Sequence, residues 1–76
     1  MEETLKIIIE NLVEHKDEIS IETKEEKDKV CFSVKVNSED MGKVIGRQGK
    51  VAHSIRTVMK AVGNKEQKRV EVEFVD

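Results

Sequence analysis

Apolar and polar positions along the chain change period several times, and each change marks an element. Leu5, Ile8, Ile9, Leu12 and Val13 recur at helical spacing. They predict a helix over about Glu3–His15 with one buried face and Ile7 on its polar side. Alternation follows: Ile19, Ile21 and Thr23 share one side, Ser20, Glu22 and Lys24 the other. The all-charged run from Glu25 to Lys29 reads as a turn. Val30, Phe32, Val34 and Val36 then alternate with Cys31, Ser33, Lys35 and Asn37, completing a hairpin with one buried and one wet face. Asn37 or Ser38 can cap a short helix with Glu39 and Asp40 in its first turn. Met41, Val44 and Ile45 form its apolar stripe, and it stops at Gly46. After Gly49, Val51, Ala52, Ile55, Val58, Met59 and Val62 fall within an arc of about 120°, at roughly 100° per residue. Lys50, His53, Arg56 and Lys60 lie opposite, and Gly63-Asn64 is expected to end this helix. Val70, Val72 and Phe74 alternate with Glu71, Glu73 and Val75 as a final strand.

The predicted order is α-β-β-α-α-β, an α+β class with three helices covering one face of a three-stranded sheet. The other sheet face is polar, carrying Ser20, Glu22, Lys24, Cys31, Ser33, Lys35, Glu71 and Glu73. If the second and third strands are neighbours, the two-helix connection makes them parallel, and the sheet is mixed. The 76 residues, 37% of them apolar, suffice for one domain spanning 1–76 with one modest core. Such a domain buries about 60–65% of its unfolded surface.

No run approaches the ~18–20 apolar residues of a membrane-spanning helix. The acidic start MEETLKIIIE lacks the features of a signal peptide, so a cytoplasmic protein is expected. The single cysteine, Cys31, fits a reducing compartment, and its neighbours Val30 and Phe32 mark it as a strand residue. His15 and His53 lie far apart, and no Cys/His/Asp cluster has metal-ligand spacing. No Ser/His/Asp constellation stands out. The expectation is a non-enzymatic protein without a cofactor or a metal.

The formal net charge of −2 hides an asymmetry. Residues 1–40 carry 6 basic and 12 acidic side chains, a net of −6, while residues 41–76 carry 8 and 4, a net of +4. From Met41 to Lys65 there is no acid, but there are Lys43, Arg47, Lys50, Arg56, Lys60 and Lys65. An anionic partner is governed by this local field rather than by the sum.

Within that segment, Gly46-Arg47-Gln48-Gly49 interrupts two helices. In one reading it is only a helix–helix turn, with Gly46 a C-cap at positive φ and Arg47 and Gln48 solvated. A bare G-x-x-G is a weak signal. In the other reading the missing Cβ atoms let a phosphate reach the main chain, and the next helix offers free N–H groups and the positive end of its dipole. Lys43, Arg47 and Lys50 bring three cations close, and Gln48 adds a neutral donor. This suits a sugar–phosphate backbone. It does not suit a triphosphate or a dinucleotide, because the Walker lysine with Ser/Thr and the G-x-G-x-x-G fingerprint are both absent.

Val44-Ile45-Gly46-Arg47-Gln48-Gly49 with the downstream Ile55 resembles the V-I-G-x-x-G…I signature of KH domains, single-strand RNA-binding modules whose loop clamps four backbone nucleotides. The element order resembles the type II form of that fold. The run from Asp40 to Ala52, then Ile55-Arg56-Thr57-Val58 and Lys68-Arg69-Val70-Glu71-Val72, resembles the KhpA family of small stand-alone bacterial KH proteins over essentially the whole chain. Ala52 stands where many KH domains have isoleucine, a small residue usual in this family.

The resemblance implies roles by position. Gly46 and Gly49 would give close backbone access, and Arg47, Gln48 and Lys50 would contact phosphates and sugars. Ile45, with Val34 or Val36 from the neighbouring strand, would floor a groove for bases, and Lys43 would add attraction. Arg56 has either an RNA-contacting or a structural role, while His53 and Lys60 are solvated. Val51, Ile55, Val58 and Met59 are core. The absence of Tyr and Trp favours a backbone clamp over a module that stacks bases on exposed aromatics.

The implied function is single-stranded RNA binding by a chaperone or post-transcriptional regulator. The implied partners are RNA and a second KH protein, as a homodimer or as a heterodimer with a larger KhpB/Jag-type chain. The alternative is a protein–protein adaptor on the same scaffold, with RNA secondary.

Overall fold

The computed structural model describes residues 1–75. The chain runs through helix α1 (Glu2–Glu10), a single 3-10 turn (Lys16–Glu18), strands β1 (Ser20–Glu25) and β2 (Lys29–Lys35), and helix α2 (Met41–Ile45). A second 3-10 turn (Arg47–Gly49), helix α3 (Lys50–Lys65) and strand β3 (Arg69–Val75) follow. The three strands lie in the order β1-β2-β3. β1 pairs antiparallel with β2, Thr23 opposite Phe32. β2 pairs parallel with β3, Phe32 opposite Val72. β2 and β3 are neighbours, so the parallel pairing and mixed sheet expected from the two-helix connection are present, and the α+β order α-β-β-α-α-β holds.

The register explains the core. Val30, Phe32 and Val34 point to one side of β2, and Val72 joins them from β3. α1 lays Leu5 and Ile9 onto that side, α2 adds Val44, and α3 adds Ile55 and Met59. Each of these fully buried side chains contributes about 1.5–3 kcal/mol relative to exposure. No helix among the described residues is long and apolar enough to cross a membrane.

Four details differ from the pattern-based expectation. α1 ends at Glu10 rather than His15, although Val13 is still buried. Beyond Val13 the backbone N–H groups of Glu14 and His15 donate to the Asp40 carboxylate at 3.1 and 3.0 Å instead of continuing a helical ladder. Asp40 itself, not Asn37 or Ser38, occupies the N-cap position of α2, without a side-chain cap bond. Asn37 Oδ1 instead accepts the Glu39 N–H at 2.8 Å in a local turn.

α3 runs through Gly63 and Asn64 to Lys65. Gly63 is there for close approach: a Cβ would collide with the Val70 side chain and lie 2.7 Å from the Lys68 carbonyl oxygen. The buried stripe of α3 is consequently narrow (Ala52, Ile55, Met59, Gly63). Val58, expected in the core, falls on the flank and is 45% exposed.

Candidate functional site

The break between α2 and α3 is built from unusual backbone. Gly46 has φ 77° and ψ 171°, a region essentially restricted to glycine. Gln48 follows at φ 57° and Gly49 at φ 74°. The turn closes on itself through Gly49 N–H to Gly46 O at 3.1 Å, and Gly46 N–H bonds back to Gly42 O at 2.8 Å. At Gly46 an added Cβ would collide with the Val51 side chain and lie 2.8 Å from the Val51 backbone nitrogen. At Gly49 nothing lies within 4 Å of that position. The loop is thus tight on its inner side at Gly46 and open at Gly49, where the main chain can be approached.

The loop leads straight into α3, and no acid lies in the first turn of that helix. The Lys50 N–H already donates to the Arg47 carbonyl; the N–H groups that follow it lie at the helix start, the positive end of the dipole. Arg47, Gln48 and Lys50 are exposed around it. Arg47 and Lys50 form no ion pair among the described residues. The anion-attracting elements are a glycine-opened main chain, a helix start and two unpaired cations on one small surface.

The other sequence candidates are placed differently. Lys43 reaches away from the loop, its Nζ 3.0 Å from Glu14 Oε1 and 3.4 Å from Asp40 Oδ1. The bond to Glu14 raises its pKa, desolvation opposes this, and the bond to Asp40 adds to the rise. Ile45 is half-buried and packs against the core. Val34 and Val36 are buried at 0% and 6% exposure and leave no accessible floor for a base, because the helices already cover that sheet face. Arg56 is a structural tie: its Nε donates to Val72 O at 3.0 Å, and its guanidinium lies 5.6 Å from the Phe74 ring centre. Each tie spans α3 and β3.

An open groove of about 560 Å³ does exist, but elsewhere. It runs between α3 and β3, with His53, Arg56, Thr57 and Lys60 on one wall and the Arg69–Glu73 stretch on the other. β3 is an edge strand, so this wall presents main-chain groups not used in the sheet. His53 and Lys60, expected only to be solvated, line it.

Sequence reasoning also missed a cluster at the other end of α2 from the loop. Asp40 is fully buried and accepts from Glu14 N–H, His15 N–H, His15 Nδ1 (2.9 Å) and Lys43 Nζ. Burial alone would raise its pKa. The backbone N–H groups of His15 and Glu14, then the His15 ring and Lys43, overcome this and hold the carboxyl well below the ordinary range. His15 is raised in turn, chiefly by its bond to Asp40. The run Asn37-Ser38-Glu39-Asp40 looked like a cap because its partners lie some 25 residues earlier.

A mixed three-stranded sheet with helices on one face, and a G-x-x-G turn joining the last two helices, define a KH-type fold. Residues 2–74 match the KhpA/KhpB KH-domain family, and the chain belongs to that family. It is 38% identical over 76 residues to the RNA-binding protein KhpA of Listeria monocytogenes, covering all of both chains. To the RNA-binding protein KhpA of Clostridium acetobutylicum it is 44% identical over 75 residues, covering 99% of this chain and all of the relative. With the Bacillus subtilis protein of the same name it shares 37% over 76 residues, covering all of this chain and 94% of the other. No solved structure matches the chain significantly.

Proposed function

We propose that the chain is a non-enzymatic, cytoplasmic single-stranded RNA-binding protein, one KH domain over residues 1–76, acting as an RNA chaperone or post-transcriptional regulator. The observation that carries this is the Gly46–Gly49 loop: open main chain at Gly49, the start of α3 and the unpaired Arg47 and Lys50 meet on one surface. Phosphates take the main-chain N–H groups and these cations, with Gln48 as a neutral donor. Lys43 contributes little, since Glu14 and Asp40 already hold it. Bases then follow α3 into the groove beside β3. The name of the relatives, RNA-binding protein KhpA, supports the same reading.

A single loop engages few phosphates, so one copy binds weakly, and pairing raises affinity through effective concentration. The partner is a second copy or a larger KhpB/Jag-type chain, a reading supported by the joint KhpA/KhpB family. The adaptor reading, with RNA secondary, draws on one observation. Val58, Ala61 and Val62 line an open, mostly apolar depression on the outer side of α3.

The test is a salt titration of fluorescent single-stranded RNA, wild type beside Arg47→Asp/Gln48→Asp. The clamp gives a log–log slope of about −0.7 per neutralised phosphate, lost in the folded variant. Equal binding by both proteins moves RNA off the loop. Binding by neither puts the adaptor in front.

A further inference from the structure

α2 is five residues long and buries only Val44 fully. A helix this short has no stability of its own, so its orientation must come from what holds its ends. At the C-terminal end the fastening is the contact of Gly46 with Val51. At the N-terminal end it is Asp40, which works in two directions. Its backbone carbonyl accepts the N–H groups of Lys43 and Val44 at 2.9 and 3.4 Å, starting the helix. Its side chain faces the opposite way and accepts both backbone N–H groups of Glu14-His15 and the His15 ring. From outside, Lys43 bridges Asp40 to Glu14, and His15 Nε2 lies 3.5 Å from Glu39.

We propose that Asp40 is a positioning residue for the Gly46–Gly49 loop: it locks the segment after α1 to the start of α2 and so fixes how α2 presents the loop to RNA. This rests on the clamp reading of that loop. Apolar packing fills a buried site with no less stability than a well-partnered charge. What apolar contact lacks is direction. Four donors converging on one carboxylate define a single arrangement of two segments, whereas a methyl-lined contact allows sliding. A tenfold change in binding needs only the equivalent of one lost charge-assisted hydrogen bond. A shift of α2 that takes the α3 start and Arg47 off a common phosphate removes that much.

The test uses the full chain and a fluorescent single-stranded RNA at fixed salt, well below the melting temperature. Asp40→Asn keeps the shape but meets the converging donors with an amide. His15→Leu removes only the ring bond and keeps the backbone bonds, so it decides the matter if Asp40→Asn does not fold. The expected results are about tenfold weaker binding for Asp40→Asn and about threefold for His15→Leu. Each effect should shrink when repeated in an Arg47→Ala background, because the residue acts through the loop. A purely structural role would give the same factor in both backgrounds, which overturns the proposal. So does wild-type affinity in folded Asp40→Asn or in His15→Leu. Equal binding by wild type and Arg47→Asp/Gln48→Asp instead overturns the clamp, and this proposal with it; loss in that variant alone overturns only the positioning role.

Discussion

Gly46 and Val51 share a space that holds one side chain. The Val51 side chain fills the place where a Cβ of residue 46 would project, and this contact folds the start of α3 back onto the end of α2. Gly46 also combines φ 77° with ψ 171°. Gly46→Ala is therefore expected to lose about 2–3 kcal/mol, from backbone strain and collision together. Gly49, left-handed at φ 74° and ψ 14° with open space around it, should lose only about 1 kcal/mol on substitution by alanine and less by asparagine. Thermal melts of the variants check the order. Equal losses at the two glycines would contradict the packing argument.

Gly63 gives a separate test of close approach. A Cβ there meets Val70 and the Lys68 carbonyl, so Gly63→Ala must push α3 off β3. The expected cost is about 1–3 kcal/mol, despite the better helix propensity of alanine. If Gly63 were a helix terminator at the surface, the same change would be close to neutral. Denaturant midpoints separate the two.

Much of this architecture is legible in the sequence. Two-residue alternation in 30–36 and 70–75 marks buried strands because each has one apolar side, and the two glycines mark the loop because the period of 3.6 stops and restarts there. What remained hidden depends on distant partners. Asp40 follows a strand and precedes a helix, where a carboxylate ordinarily caps; nothing local shows that Glu14 and His15 claim it. Lys43 belongs by sequence to the basic segment, yet Glu14 draws it away. Val34 and Val36 alternate as groove residues would, but depth is set by how many helices pack over them. Arg56 lies on the polar arc of α3, and only the parallel placement of β3 brings Val72 and Phe74 beneath it.

Arg56 should behave as a tie rather than as a phosphate ligand. Arg56→Gln removes the bond to the Val72 carbonyl and the contact with Phe74. The expected loss is about 1 kcal/mol of stability, with the slope of RNA binding against salt reduced by less than one phosphate's share. Arg47→Gln should do the reverse, leaving the melt unchanged and reducing the slope by about 0.7. A large slope change for Arg56 would assign it to the RNA.

The Asp40 cluster predicts how stability follows pH. Asp40 is held below its ordinary value of 3.8, so its contribution is complete above that value. The contribution is lost as pH falls from there through the lower folded value. His15 is raised above 6.5 by its bond to Asp40, so the opposite sign applies. Its contribution is complete below 6.5 and disappears as pH rises through the folded value. Even neutral, the ring can keep Nδ1–H on the carboxylate, so only the charge-dependent part is lost. Melting temperatures measured from about pH 3 to about pH 9 should show a steep acid limb and a shallow decline beginning above 6.5. His15→Leu should abolish the shallow decline and leave most of the acid limb, because the backbone N–H groups of Glu14 and His15 still favour the Asp40 anion. Asp40→Asn should flatten both, since His15 then has no anion to face except the exposed Glu39 and Glu18. A shallow decline persisting in His15→Leu would assign it to another group.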